Sequence, residues 1–373
     1  MTVEEPLGST PLARKLAVRI ARHGPIGVDD YMQACLQDPE HGYYRRQPAI
    51  GRAGDFVTAP EISQVFGELV GLWCAVVWQQ MGSPPAMRLI ELGPGRGTLM
   101  RDALRAGRLV PEFRAALRVE FVETNTALEP VQRATLSGEG VPLQWSAEIL
   151  PGTGPAIVIA NEFIDTLPPA QWVFLEGAWR ARCVGLDAGG HLAFVDAPPN
   201  SSLQLPAGTP EPGEGDVFEE RTAALTDFAD KLAALGAPLA ALFIDYGHTR
   251  SGLGDTLQAV QAHRHTDPLQ SPGEADLTAQ VDFAAFAEVM RAHGLACDGP
   301  VAQGEFLGRL GIIERASRLM AANPAKAAQI EADVARLIAS GGMGGRFQAI
   351  GIRSPQLPAL PALEAVDTAT GSS

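Results

Sequence analysis

The sequence is short of positive charge. Its 29 lysines and arginines face 43 aspartates and glutamates, a formal net charge of −14. Phosphate backbones demand clustered Lys and Arg, so a nucleic acid is excluded as the main partner. Cysteine is scarce as well: Cys35, Cys74, Cys183 and Cys297 lie far apart and form no C-x-x-C pair. Buried, reduced thiols are the expectation. His263 and His265 make an H-x-H with no third ligand nearby in the sequence, so no metal is expected. No stretch reaches the roughly eighteen uninterrupted apolar residues of a membrane span. The N-terminus, Met1-Thr2-Val3-Glu4-Glu5, is acidic and lacks an apolar signal core, which leads to the expectation of a cytoplasmic protein.

What is present is ordinary for a globular chain. The 373 residues are 46% hydrophobic and 19% charged, enough to bury a large core in one α/β domain with an accessory part, or in two domains. Residues 11 to about 36 show helical spacing interrupted at Gly24-Pro25. Thr58 and Glu61 stand in capping-box spacing before an apolar stripe, Val65, Leu69, Leu72 and Val76, that predicts a helix to about Gly82. From Met87 onward, short apolar runs alternate with helices, the pattern of a parallel sheet. Strands are expected near 87–92, 118–123, 141–145, 156–160, 239–244 and 346–352, with helices near 98–107, 126–136, 217–235, 281–293, 304–321 and 325–339. A hairpin is expected around 171–184 and 191–195, the segment 248–280 reads as irregular, and residues after Ser354 read as a loose tail.

The sharpest feature is the run from Leu89 to Met100, in which Glu91-Leu92 leads into Gly93-Pro94-Gly95-Arg96-Gly97 and then a helix. A turn of this kind lets backbone approach a ligand at the carboxyl edge of a parallel sheet. Dinucleotide enzymes use G-x-G-x-x-G, whereas here the third glycine comes one residue early. Glu91 would face a pyrophosphate unfavourably, yet it suits a ligand that carries an ammonium and a sulfonium. S-adenosylmethionine is such a ligand, which favours a methyltransferase over a dehydrogenase. The second strand ends in Glu123, at the position from which a carboxylate grips ribose hydroxyls. That rule serves either cofactor. Asn161, Glu162 and Asp165 follow the fourth strand and Asp245-Tyr246 ends the fifth. As residues beyond strand ends they are expected at the site, although helix capping would also explain the acids after the fourth strand.

With these residues assembled, the chain resembles the MidA family of class I S-adenosylmethionine-dependent methyltransferases, which includes the mitochondrial complex I assembly-factor methyltransferase. The matching stretches run from Gly54-Asp55-Phe56-Val57-Thr58 through Glu61 and Glu68, Glu91 to Met100, and Asn161 to Pro168. They continue in Asp245-Tyr246-Gly247, Pro272 to Thr278 and Val281-Asp282-Phe283. One departure is Gln280, where the family is expected to carry His. The resemblance implies a Rossmann-like sheet with an N-terminal helical segment over the cofactor and a helical and hairpin insertion. It also implies protein arginine methylation linked to complex I assembly. Residues 1–86 are then the N-terminal segment, 87–353 the methyltransferase domain with insertions at about 171–216 and 248–340, and 354–373 a flexible tail.

On this reading Glu91, Gly93, Gly95, Gly97, Glu123 and Asn161 hold the cofactor. Glu162 and Asp165, with Asp245 and Asp282 behind them, hold a guanidinium and accept its proton. If Glu162 and Asp165 begin a helical turn, they share one side. Asp55, Thr58, Glu61, Glu68 and Tyr246 line the acceptor side or close the pocket. The implied partner is a protein presenting an arginine side chain, with no nucleic acid and no membrane span, and a homodimer is compatible. A small-molecule methyltransferase and a non-catalytic assembly factor that binds S-adenosylmethionine remain as alternatives.

Overall fold

The computed structural model describes residues 10–45, 58–200, 203–206 and 208–364. The chain divides into two compact units, Met1–Phe56, Asp165–Leu225 and Arg250–Gln280 in one, and Val57–Ile164, Thr226–Thr249 and Val281–Ser373 in the other. The division does not fall at residue 86. Helix Gln64–Gln80 belongs to the second unit because its buried side chains, from Val65 to Trp78, are part of that unit's core.

That second unit is built on a sheet of strands β1 (Met87–Leu92), β2 (Leu117–Val122), β3 (Leu143–Ser146), β4 (Ala156–Asn161), β5 (Leu239–His248), β6 (Ala296–Ala302) and β7 (Phe347–Arg353). Their spatial order is β3-β2-β1-β4-β5-β7-β6. The first five are mutually parallel, and β7 runs antiparallel between β5 and β6. This is the expected Rossmann-like α/β sheet, distinguished from the dinucleotide order 3-2-1-4-5-6 by the inserted antiparallel strand. Strand β4 is buried along Ala156-Ile157-Val158-Ile159-Ala160, a continuous apolar run of the sort parallel strands need when both faces are covered. Strand β6 escapes sequence reading because Gly299-Pro300 interrupts it, and its pairing with β7 shifts register between Asp298 and Val301.

Helix packing explains other departures from the expected elements. The predicted helix from Thr58 breaks at Ser63, giving Ala59–Ile62 and Gln64–Gln80, with Ser63 Oγ accepting from Val65 N at 3.3 Å. Gly71 allows the second helix close to Thr98–Gly107, since a Cβ there would lie 2.5 Å from Ala103 Cα. The helix expected over 304–321 is broken at Gly311, whose φ of +84° ends Gln303–Arg309 and starts Ile312–Ala322. The supposed loose tail is packed at least as far as residue 364: Leu357, Leu360 and Leu363 are buried, and Trp73 Nε1 donates to Pro361 O at 3.0 Å.

The other unit contains helices Pro11–His23 and Val28–Gln37, as the spacing around Gly24-Pro25 predicts. Leu12, Leu16, Ile20, Tyr31 and Met32 from these helices pack with Val184 and Leu277. The expected hairpin is a meander of Ala170–Leu175, Ala178–Leu186 and Leu192–Pro199, with Val217–Glu220 pairing on its other edge. That last strand takes the first residues of the helix expected from 217, which begins at Thr222. The segment read as irregular holds three short strands, Gln258–Gln261, Arg264–Thr266 and Asp276–Thr278. Cys35 and Cys74 are buried, whereas Cys183 and Cys297 are half-buried. Among the described residues, no helix is long and apolar enough to cross a membrane and no three His, Cys, Asp or Glu are placed to hold a metal.

Candidate active site

The sheet order reverses beside β1, with β2 on one side and β4 on the other, and ligands of open α/β sheets bind in the crevice beyond such strand ends. The loop leaving β1 has Gly93, Gly95 and Gly97 at φ +61°, +53° and +78°. Only glycine takes these left-handed values without steric cost, which explains the alternation in the sequence. A Cβ on Gly93 would lie 3.4 Å from Phe163 Cδ2, so the loops leaving β1 and β4 are neighbours. Glu91, the next-to-last residue of β1, is buried. Its Oε2 has no hydrogen-bond partner among the described residues. Burial, then the charge of Glu123, pushes its carboxyl well above the ordinary range. A buried acceptor left open beside a glycine cradle fits a ligand that brings a cation or a donor.

Glu123 follows β2. Its Oε1 accepts from Asn125 N at 2.7 Å and its Oε2 from Gln132 Nε2 at 3.1 Å. Gln132 is fully buried in helix Glu129–Thr135 and also donates to Gly95 O at 2.8 Å, while its Oε1 accepts from Trp145 Nε1 at 2.7 Å. Sequence reasoning missed both Asn125 and Gln132. Asn125, two residues after Glu123, has the spacing of a side-chain turn and could have been found. Gln132 looks like any polar helix residue.

Beyond β4 the backbone turns sharply, with Glu162 at φ +55°, a conformation uncommon for a residue with a side chain. Glu162 N donates to Ile244 O at 2.9 Å, and its Oε1 accepts from Asn161 Nδ2 at 2.9 Å and Ala59 N at 3.4 Å. Desolvation, then the negative charge of Asp245, raises the Glu162 carboxyl from 4.5 to about 7. Asn161 Oδ1 is buried with no hydrogen-bond partner among the described residues. A carboxyl whose pKa is raised toward neutrality and an open amide oxygen therefore stand side by side.

Several expected site residues do other work. Asp245 is buried and holds backbone: Oδ2 accepts from Phe163 N and Ile164 N at 3.0 and 2.8 Å, Oδ1 from Tyr246 N at 2.9 Å. Asp282 caps helix Phe283–Ala292 through Ala285 N at 3.0 Å. Glu162 and Asp165 are not successive sides of one helical turn, because only Ile164–Thr166 is helical and of the tighter 3-10 kind. Asp165 is buried in the other unit, where its charge and that of Asp276 raise the Tyr44 phenol behind the larger effect of burial. Thr58 makes no side-chain cap, and Glu61 instead accepts from the Thr98 hydroxyl at the exit of the glycine loop. Glu68 is buried between Arg105 and Arg315, at 2.9 and 2.8 Å, as an ion-pair hub of the core. The Tyr246 ring packs against Phe347, with centroids 5.6 Å apart. Gln280 is exposed, and its backbone N donates to Thr256 Oγ1 at 2.9 Å while its carbonyl accepts from Arg221. Asp55 lies outside the described residues.

Comparison with known proteins bears on the same crevice. A family profile described as "Putative S-adenosyl-L-methionine-dependent methyltransferase" matches residues 69–301. The mitochondrial protein arginine methyltransferase NDUFAF7 of Danio rerio is 35% identical over 365 residues, covering 90% of this chain and 85% of that protein. Its Homo sapiens counterpart is 33% identical over 338 residues, covering 83% and 76%. A superfamily member from Burkholderia thailandensis, solved with S-adenosyl-homocysteine bound, superposes with a TM-score of 0.84 at 28% identity over 97% of each chain. The expected cytoplasmic location is corrected by these relatives, whose names place them in mitochondria. An acidic run of N-terminal residues carries no information on compartment.

Proposed function

This chain belongs to the family of S-adenosyl-L-methionine-dependent methyltransferases, and from that premise we propose that it methylates an arginine side chain of a protein. The cofactor supplies an electrophilic methyl group. The observation that carries the arginine reading is Glu162, a carboxyl at the β4 end of the switch point held near pKa 7 by burial and Asp245. Replacing one guanidinium N–H by N–CH3 releases one proton, and a carboxylate of that basicity beside the glycine loop can take it. Its negative charge also pairs with the cationic guanidinium and orients it. Glu91, Gly93, Gly95, Gly97, Glu123 and Asn161 are the residues we assign to the cofactor. The open Glu91 Oε2 and Asn161 Oδ1 supply acceptors, and the glycines supply close backbone approach. Asp245 positions the loop that carries Glu162 and does not itself meet the acceptor.

The names of the relatives support an arginine acceptor, and the family resemblance supports a target in respiratory complex I assembly. Mass spectrometry of methylarginine in cells with and without the protein tests both. Loss of arginine methylation on a complex I-type subunit, restored by the parent chain but not by Glu162→Gln, is the expected result. Unchanged methylarginine across the proteome would overturn the reading and leave a small-molecule acceptor or a non-catalytic role.

A further inference from the structure

Gln132 touches both halves of the cofactor crevice. One amide hydrogen goes to Gly95 O at 2.8 Å and the other to Glu123 Oε2 at 3.1 Å. The amide oxygen is engaged too, by Trp145 Nε1 at 2.7 Å. Both donors and the acceptor are therefore used, and a flipped amide would set Nε2 against the indole donor and Oε1 against two acceptors. A second observation comes from the opposite side of the side chain: a Cβ on Gly97 would sit 3.5 Å from Gln132 Cα and 3.6 Å from its Cβ and Cγ. The glycine loop is thus folded down onto Gln132 and hydrogen-bonded to it. The residue is fully buried, so no water replaces a lost contact without rearrangement.

We propose that Gln132 is the positioning residue of the cofactor site, fixing the distance between the glycine loop and the Glu123 carboxylate and thereby setting the nucleoside subsite. This rests on the assignment of the glycine loop and Glu123 to the cofactor. Because Gln132 is neutral, it orders Glu123 without quenching its charge. Asn125 N and Gln132 Nε2 bind different oxygens of Glu123, so the two contacts together fix the plane of its carboxylate. Trp145 completes the arrangement from β3 by holding the amide of Gln132 in one orientation. The assignment differs from a role in fold stability alone, because two of the three partners of Gln132 belong to the residues assigned to the cofactor.

The test uses the full-length chain with S-adenosyl-homocysteine as the probe, measured by calorimetry, for Gln132→Leu, Glu123→Gln, their double variant, Trp145→Phe and Gly95→Val. Gln132→Leu should weaken binding about ten- to a hundredfold, since the Gly95 carbonyl, the Glu123 carboxylate and the Trp145 indole all lose their partner. In turnover, KM for S-adenosylmethionine should rise by the same factor while kcat at saturation stays within about threefold. The double variant should bind little worse than the weaker single one, because Gln132 acts through Glu123. Trp145→Phe should show a smaller loss in the same direction, and it carries the test should Gln132→Leu not fold. A folded Gln132→Leu with parental affinity overturns the proposal, as does a loss that adds in full to that of Glu123→Gln. If Gly95→Val and Glu123→Gln both bind normally, it is the assignment of the crevice itself that fails.

Discussion

Glu162→Gln should make the cofactor-free protein more stable at pH 8 and leave it unimproved at pH 4.5. The folded carboxyl sits at about 7 against an ordinary 4.5, first because it is desolvated and then because Asp245 is charged nearby. A raised carboxyl pKa means that the folded state holds its proton where the unfolded chain has released it. Below about pH 4.5 the group is neutral in both states and costs nothing. Between 4.5 and 7 stability falls as pH rises, and above 7 the cost is complete. At about 1.4 kcal/mol per pH unit the full penalty is about 3 kcal/mol, an upper bound because Glu162 keeps part of its surface exposed. The amide is neutral throughout, and its oxygen can still accept from Asn161 Nδ2 and Ala59 N. Thermal unfolding at half-unit steps from pH 4.5 to 8 is the assay. The Tm difference between variant and parent should open through the window to a few degrees, at about 2–4 °C per kcal/mol. A difference independent of pH, or a variant less stable than the parent at pH 8, would refute the electrostatic argument.

Other substitutions separate binding from support. Gly95→Val should abolish S-adenosyl-homocysteine binding, because φ is +53° there and a β-branched residue resists that conformation; calorimetry showing parental affinity in the folded variant would take the loop out of the site. Asp245→Ala strips the acceptor from the Phe163, Ile164 and Tyr246 amides, so it should cost about 3 kcal/mol or more and lower Tm by several degrees. An unchanged melting curve would contradict the positioning role. Asp282→Ala removes a helix cap and should cost about 1 kcal/mol while arginine methylation stays within about twofold of the parent. A large loss of turnover at unchanged stability would return Asp282 to the chemistry.

Legibility in the sequence followed the physics of each element. Strand β4 was plain because both faces are covered, which favours an unbroken apolar run from Ala156 to Ala160. The glycine loop was plain because left-handed backbone is written in glycine. Long-range contacts left weaker marks. Gln132 stands nine positions beyond Glu123, and nothing local marks a helix glutamine whose partners are a loop carbonyl and an indole. Prolines hid the packed segment after Ser354, where Leu357, Leu360 and Leu363 recur every third residue between them. Ser63 broke a helix that periodicity alone would carry through, since its β-region φ and ψ leave the apolar spacing on either side intact.

The acids at the strand ends show why type and position did not suffice to assign roles. Several acids were expected at the site as cofactor, acceptor or pocket-closing residues, and what their oxygens hold separates them. Asp245 places both oxygens on backbone amides, Asp282 serves a helix N-terminus, and Glu68 is held by two arginines. Glu61 takes the Thr98 hydroxyl, which fastens the helix start at Gly97 to the segment before Ser63. A carboxylate so engaged has little charge to offer a ligand without giving up structure. Glu91 and Glu162 differ: one has an open buried oxygen, the other a carboxyl poised to change protonation near neutrality. Both are disfavoured as anions in the cofactor-free fold, and a cation delivered to the crevice relieves that penalty. On the proposed assignment, a sulfonium and a guanidinium brought to this edge would each offset the charge penalty that burial imposes on Glu91 and Glu162.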